Sequence, residues 1–282
     1  MHSNELEERH GVCSWSVHPQ SPADLVDQLT QLRLKKVQLA LGPLVLQPGV
    51  WGNAGAQLAD AGITIASGMM GCVGEDYSTI ASIRRTGGVL PDETWPATLE
   101  NMSKAAPIAK TLGLTLVTLH AGFIPHDSSD RKFGIVIDRI TTIADTFKAH
   151  EIEIALETGQ ESAKDLNAFL AVLGRKDVGV NFDPGNMILY SSGDPVASVE
   201  RLLPYVKQVH LKDATAGPDS ETWGKEVPVG TGEVNWAAFF GALKRSNYAG
   251  EYIIEREAGD QRIPDILQAQ KFLYETYAES NH

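Results

Sequence analysis

The run "VGVNFD" stops on a bare carboxylate, Asp183, and a Pro-Gly pair then turns the chain. Desolvating an unpaired charge at the end of a buried strand is expensive, so Asp183 needs something to face. Three other apolar runs end in a similar way. "IEIALE" ends on Glu157, "VKQVHLKD" carries His210, and "GEYIIERE" carries Glu255. "LTLVTLH" ends on His120. Taken singly, each has an ordinary explanation: a helix cap, a surface charge or a packed histidine. Taken together, they put Glu, Asp, His and Glu at equivalent points of four successive strands. Three carboxylates and one imidazole at close quarters call for a divalent cation to hold them. Oxygen ligands with one nitrogen and no thiolate suit Mn²⁺ first, with Mg²⁺, Co²⁺ or Zn²⁺ as alternatives. Four protein ligands leave positions open for substrate oxygens.

Strands and helices must alternate strictly for those ends to meet. "GVCSW" (Gly11 to Trp15), "KKVQLAL" and "GITIASG" read as the first three strands. Leu114 to His120, Ile152 to Glu157, "VGVNFD", Val206 to Asp213 and Gly250 to Glu257 read as the other five. Helical stretches separate them: Ser21 onward with Ser21 as N-cap, Trp51 to Ala61, a long helix from Asp92, Phe133 to His150, Ser162 to Gly174, Pro195 to Leu203, Asn235 to Ser246, and a last one from Pro264. Pro96 belongs in the first turn of the long helix, and Pro107 predicts a bend. The piece between the third strand and Pro91 reads as irregular, and a long loop runs through "PVGTGEV". Eight alternating units at this length predict a single-domain (β/α)₈ TIM barrel over residues 1–282, with the ligand ends in one ring at its C-terminal face. A doubly wound open sheet would need a glycine fingerprint after the first strand, where the sequence is "SWSVHPQS".

Composition narrows the function. The 282 residues carry 24 basic and 36 acidic side chains, a formal net charge of −12. That balance disfavours nucleic acid and anionic membranes as partners. Two distant cysteines, Cys13 and Cys72, show no metal-type spacing and fit a reducing, cytoplasmic setting as core thiols. The polar start "MHSNELEERHG" lacks a signal-peptide pattern, and no apolar segment reaches membrane-spanning length.

The motifs "LTLVTLHAG", "IALETG", "VGVNFDPGNM", "VHLKD", "VPVGTGEVNW" and "YIIERE" together resemble the xylose-isomerase-like TIM-barrel superfamily. Within it they are most similar to sugar phosphate isomerases/epimerases, including ketose 3-epimerases and inosose enzymes. The resemblance implies one divalent metal on Glu157, Asp183, His210 and Glu255, with Glu157 and Glu255 also acting as the acid/base pair. It implies proton abstraction next to a carbonyl through a metal-bound enediolate, giving epimerisation or isomerisation of a sugar or polyol. A dehydratase or lyase acting on a keto-sugar or inosose would use the same site. The superfamily also includes metal-dependent abasic-site endonucleases, but these need further histidines. Here the third strand ends in "IASGMM", and Asn186 stands where many relatives have histidine. Relatives are often dimers or tetramers, so a homodimer or homotetramer is expected.

Other residues carry two readings each. Lys212 holds a substrate oxygen or bridges to a carboxylate. Asn186 binds a hydroxyl or caps a helix. His120 lines the pocket or packs structurally. Trp15 packs in the core or forms a pocket wall, and His18 supplies a polar contact. Glu257, two residues beyond Glu255, is a further substrate contact. The "GTG" of Gly230 to Gly232 lacks the lysine of a phosphate loop and reads as a turn.

Overall fold

In this computed structural model, which describes Leu6 and residues 8–280, the apolar runs become eight parallel strands: β1 (His10–Cys13), β2 (Lys36–Ala40), β3 (Thr64–Met69), β4 (Leu116–Leu119), β5 (Glu153–Glu157), β6 (Val178–Phe182), β7 (Val206–Leu211) and β10 (Glu251–Ile254). They close a barrel in the order β1-β10-β7-β6-β5-β4-β3-β2. Closure is made by β1 on β10, with Gly11 opposite Ile253 and Val12 opposite Ile254. Parallel neighbours need crossovers, and helices supply them. Of the polar start read over residues 1–11, residues 1–5 and 7 lie outside the described residues. No helix among those described is long and apolar enough to cross a membrane.

The helices form where their apolar faces repeat. Arg131–Lys148 buries Phe133, Val136, Ile140, Ile143, Ala144 and Phe147, a stripe at three- and four-residue spacing that faces the barrel. Side chains stop the helices from fraying. Ser162 accepts the Asp165 amide and Ser21 accepts that of Asp24, contacts of the kind worth about 1 kcal/mol each.

Several sequence expectations need correction. The first strand ends at Cys13, and Ser14–Val17 form a 3₁₀ turn that swings Trp15 over the barrel mouth. The helix expected at Trp51 to Ala61 forms over Ala54–Asp60, and two short helices that were not expected precede it, Gly42–Leu46 and Pro48–Trp51, each with a proline, Pro43 or Pro48, in its first turn. The irregular piece before Pro91 contains a helix, Ile80–Thr86, capped by Thr79. The Pro-Gly pair after Asp183 opens the helix Pro184–Leu189. The long loop carries a small antiparallel hairpin, β8 (Asp213–Thr215) with β9 (Lys225–Val227).

That hairpin explains the "GTG" motif. Asp213 is fully buried. Its Oδ2 accepts the amides of Gly230 and Gly232 at 2.9 and 3.1 Å and the indole N–H of Trp236 at 3.0 Å. Its Oδ1 accepts the amides of Ala214 and Val234. Gly230 has φ +87°, and a Cβ on Gly232 would collide with the Asp213 carboxylate. The glycines are there so that backbone amides can close on an anion, and the anion is the chain's own aspartate.

Candidate metal centre

Glu157 is the last residue of β5, Asp183 directly follows β6, His210 lies in β7 and Glu255 directly follows β10. Those strands are consecutive around the barrel, so the four side chains meet inside its C-terminal mouth. One ligand atom from each lies within 4.8 Å of all the others. His210 Nδ1 is 3.3 Å from Glu255 Oε2, 3.4 Å from Glu157 Oε1 and 3.7 Å from Asp183 Oδ2. All four residues are buried, Glu157 being the most exposed at 6%.

Three atoms of this group, Asp183 Oδ2, His210 Nδ1 and Glu255 Oε2, are buried without a hydrogen bond. Buried polar atoms are seldom left so. Here the three face one another, with Lys212 Nζ 2.7 Å from Glu255 Oε2 and 3.6 Å from Asp183 Oδ2, and the donor set of the quartet is three oxygens and one nitrogen. The residues fit a divalent cation. Asp183 also does what turn chemistry asks of it. Its other oxygen, Oδ1, accepts the Asn186 amide at 2.9 Å and caps the helix that follows. One carboxylate thus serves the fold with one oxygen and faces the site with the other.

The remaining oxygens are held in place. Trp15 Nε1 donates to Glu255 Oε1 at 2.7 Å. Glu157 Oε2 accepts from Asn181 at 3.1 Å, and Oε1 accepts from Asn186 at 3.0 Å. Asn186 is therefore not the helix cap; its side chain bridges Glu157 and Lys212, whose Nζ lies 3.2 Å from its Oδ1. Lys212 is 2% exposed and sits 2.7 Å from both Glu255 Oε2 and Glu257 Oε2, the first of these contacts lying off hydrogen-bond alignment. Its bridging role is thus formed, and Glu257 enters the site through Lys212.

The charges act on one another. Against the cost of burial, the ammonium of Lys212 and the imidazole of His210 hold the Glu255 carboxyl well below the ordinary range. Against the same cost, His210 and His120 lower Glu157. Burial wins at Asp183 and raises it, despite Lys212. Both glutamates are thus held in the carboxylate form, the form that ligates a cation.

A cavity of about 590 Å³ opens above these groups. Trp15, Tyr77, Tyr190 and Trp223 wall it, and His120, Asn186 and Glu257 add polar groups. His120 Nε2 lies 4.0 Å from Glu157 Oε2. His18 falls elsewhere, in an adjoining cavity of about 390 Å³ with Trp51 and Arg262. Sequence reasoning missed Tyr77, Tyr190 and Trp223, which lie in segments without strand or helix periodicity or just past them. It also missed Gln38 and Asn181, whose signal was a polar residue in the middle of an apolar run.

The xylose isomerase-like TIM barrel family model matches residues 44–276. A solved structure titled a xylose isomerase domain protein, from Planctomyces limnophilus, superposes with a TM-score of 0.84 at 30% identity, covering 90% of this chain and 92% of that one. Among curated proteins, an inosose dehydratase of Mesomycoplasma hyopneumoniae (strain 7448) is 26% identical over 141 residues, 44% of this chain and 47% of its own length. A putative L-ribulose-5-phosphate 3-epimerase, SgbU of Escherichia coli (strain K12), is 26% identical over 187 residues, 62% of this chain and 63% of its own length. The matches thus span about half to two thirds of these curated relatives. With the closed barrel, the family match and the superposition in agreement, this chain belongs to the xylose isomerase-like TIM barrel family.

Proposed function

We propose that the chain, read as one domain over residues 1–282, is a divalent-metal-dependent isomerase or epimerase of a sugar or polyol. Glu157, Asp183, His210 and Glu255 are the metal ligands, and Glu157 and Glu255 are the acid/base pair. The observation that carries this reading is the quartet itself: three orphaned ligand atoms facing one another beneath a cavity of sugar size. A divalent cation there, Mn²⁺ by its donor set, supplies Lewis-acid polarisation of a substrate carbonyl.

The chain's own residues do the rest. Glu157 and Glu255 come from the two ends of the four-strand arc, with β6 and β7 between them. A sugar carbon lying between them is open to one carboxylate on each face. One takes the proton next to the carbonyl, a step worth ~10²–10⁴-fold for a well-placed base. Return of a proton from the other face inverts that centre; return to the neighbouring carbon isomerises the sugar. The contacts from Trp15, Asn181 and Asn186 fix both carboxylates in orientation, so little freedom is lost at the moment of transfer. His120, which lines the cavity, holds a substrate oxygen, and the aromatic walls cover the substrate's C–H faces; Lys212 acts through the carboxylates it pairs with.

The similarity to an inosose dehydratase supports a second reading, loss of a β-hydroxyl from the same deprotonated substrate. The two readings share one test. Ketohexoses and inososes are incubated with the Mn²⁺-loaded protein in D₂O and followed by NMR. Exchange of the α-proton is expected in the parent protein and is lost in both Glu157→Gln and Glu255→Gln. A product lighter by one water selects dehydration, and a product of unchanged composition selects epimerisation or isomerisation. Unchanged exchange in both variants rejects the acid/base assignment.

A further inference from the structure

Beneath the quartet, the barrel is filled by amides and hydroxyls where aliphatic side chains usually sit. Gln38, Ser67, Thr118, Asn181 and Gln208 are all fully buried. They come from β2, β3, β4, β6 and β7. Gln38 reaches across from β2 to His210, and its Oε1 lies 2.7 Å from His210 Nε2. Its amide nitrogen donates to Thr118 Oγ1 at 2.9 Å. The same nitrogen lies 3.5 Å from the Gly68 carbonyl oxygen, and Thr118 gives its own hydroxyl proton to Met69 Sδ. Both partners then accept, so the amide nitrogen faces them and the oxygen faces the imidazole, where it can only accept.

We infer that Gln38 is the positioning residue of the metal centre, acting through His210. Two amide groups reach His210 Nε2, Gln38 Oε1 at 2.7 Å and Asn181 Nδ2 at 3.1 Å. The shorter contact is to an acceptor, and Asn181 already donates to Glu157 Oε2, so the proton of a neutral His210 resides on Nε2. The lone pair is then on Nδ1, the atom that faces Glu157, Asp183 and Glu255 and has no hydrogen bond of its own. In the other tautomer an N–H would point into the space a cation needs, and Nε2 would present a lone pair to an amide oxygen. Gln38 thus selects the ligating tautomer and sets the angle of the ring. The Gly68 carbonyl, with the Thr118 hydroxyl already given to Met69, in turn keeps the amide from flipping. Cys13 lies opposite Gln38 in register on β1, and its thiol meets the same amide oxygen at 3.5 Å. It adds a weak second donor and does not compete for the acceptor role. Outer contacts of this kind change metal affinity by ~10–100-fold when lost.

The inference rests on the metal site proposed above, and the test separates the two. Mn²⁺ affinity is measured by calorimetry on metal-free protein, alongside thermal unfolding of the same metal-free samples. Gln38→Met keeps length and volume but offers no oxygen. It is expected to weaken Mn²⁺ binding by ~10–100-fold, beyond any change in metal-free melting temperature, whereas Gln38→Glu, which retains the acceptor, keeps affinity within about threefold. A folded Gln38→Met that binds Mn²⁺ as tightly as the parent overturns the inference and leaves the metal site standing. A parent protein that binds no divalent ion overturns both. Should Gln38→Met fail to fold, ¹⁵N NMR of the Zn²⁺-loaded parent decides. A slowly exchanging proton on His210 Nε2 with Nδ1 metal-shifted supports the assignment, and a proton on Nδ1 refutes it.

Discussion

Glu161 lies four residues beyond Glu157, past the end of β5, and its carboxyl is buried at 5% exposure. Its Oε1 accepts the Ile124 amide at 2.8 Å. One amide does not offset the loss of water, and burial pushes the carboxyl from an ordinary 4.5 up to about 8. Between those two values the folded chain keeps a proton that the unfolded chain has released. Stability is therefore greatest below the unfolded value and falls as pH rises, by ~1.4 kcal/mol per pH unit, until the folded group ionises near 8. The full loss is roughly 5 kcal/mol, with about 3 kcal/mol already lost at pH 7. Glu161→Gln removes the titration while keeping an oxygen for the Ile124 amide and an N–H in place of the acid O–H. In urea unfolding across this range, the variant is expected to exceed the parent by little at pH 5, by about 3 kcal/mol at pH 7 and by roughly 5 kcal/mol above pH 8. Other titrating groups cancel in the difference between the two proteins. A difference that stays flat with pH would falsify the assignment of a proton to buried Glu161.

Two further outcomes are expected. Asp213→Asn leaves one oxygen to accept where two accepted five N–H groups, so the loop from 228 to 236 loses its anchor; urea unfolding should show a loss of about 3 kcal/mol or more, and a loss under about 0.5 kcal/mol would contradict the anchoring role. Mn²⁺ at ~100 times its dissociation constant should stabilise the parent by about 2.7 kcal/mol, a rise of roughly 5 °C in melting temperature for a chain of this size, and this rise should vanish in Asp183→Asn; an equal rise in that variant places the ion elsewhere.

How far the sequence carried these results depends on which interactions are local. The barrel was legible because alternation of apolar runs and helical periods is a property of neighbours in the chain. The four side chains of the candidate centre were legible because each lies at or beside a strand end, and strand ends of a parallel barrel share one face. What failed was set by single residues acting on the backbone. Pro43 and Pro48 opened two short helices ahead of the expected one, and the 3₁₀ turn after Cys13 shortened the first strand. Asn186 illustrates a different limit. Its spacing from Asp183 suits a cap, yet Asp183 takes that role, and the freed amide spans Glu157 and Lys212, residues 29 and 26 positions away. No periodicity reports such a contact.

The polar layer beneath the quartet was half visible. "KVQLA", "TIAS", "LVTL", "VGVNF" and "VKQVHL" each carry one residue of that layer, Gln38, Ser67, Thr118, Asn181 and Gln208, among apolar neighbours. In a strand buried on both faces that residue must point somewhere, and with helices outside the barrel the inside is the remaining place where several can meet. Register then decides who meets whom. Asn181 stands opposite both Glu157 and Gln208, and Gln38 opposite Ser67, so the amides assemble in bands across the barrel. Ser67 donates to Gln208 at 2.6 Å, Gln208 to Asn181 at 3.2 Å and Asn181 to Glu157. A buried network of this kind costs stability if any member is left unpaired, and an aliphatic barrel would be easier to build. Its retention under four ligand-type side chains, with one branch ending on Glu157 and another on His210, is what links the interior of the barrel to the chemistry proposed at its mouth.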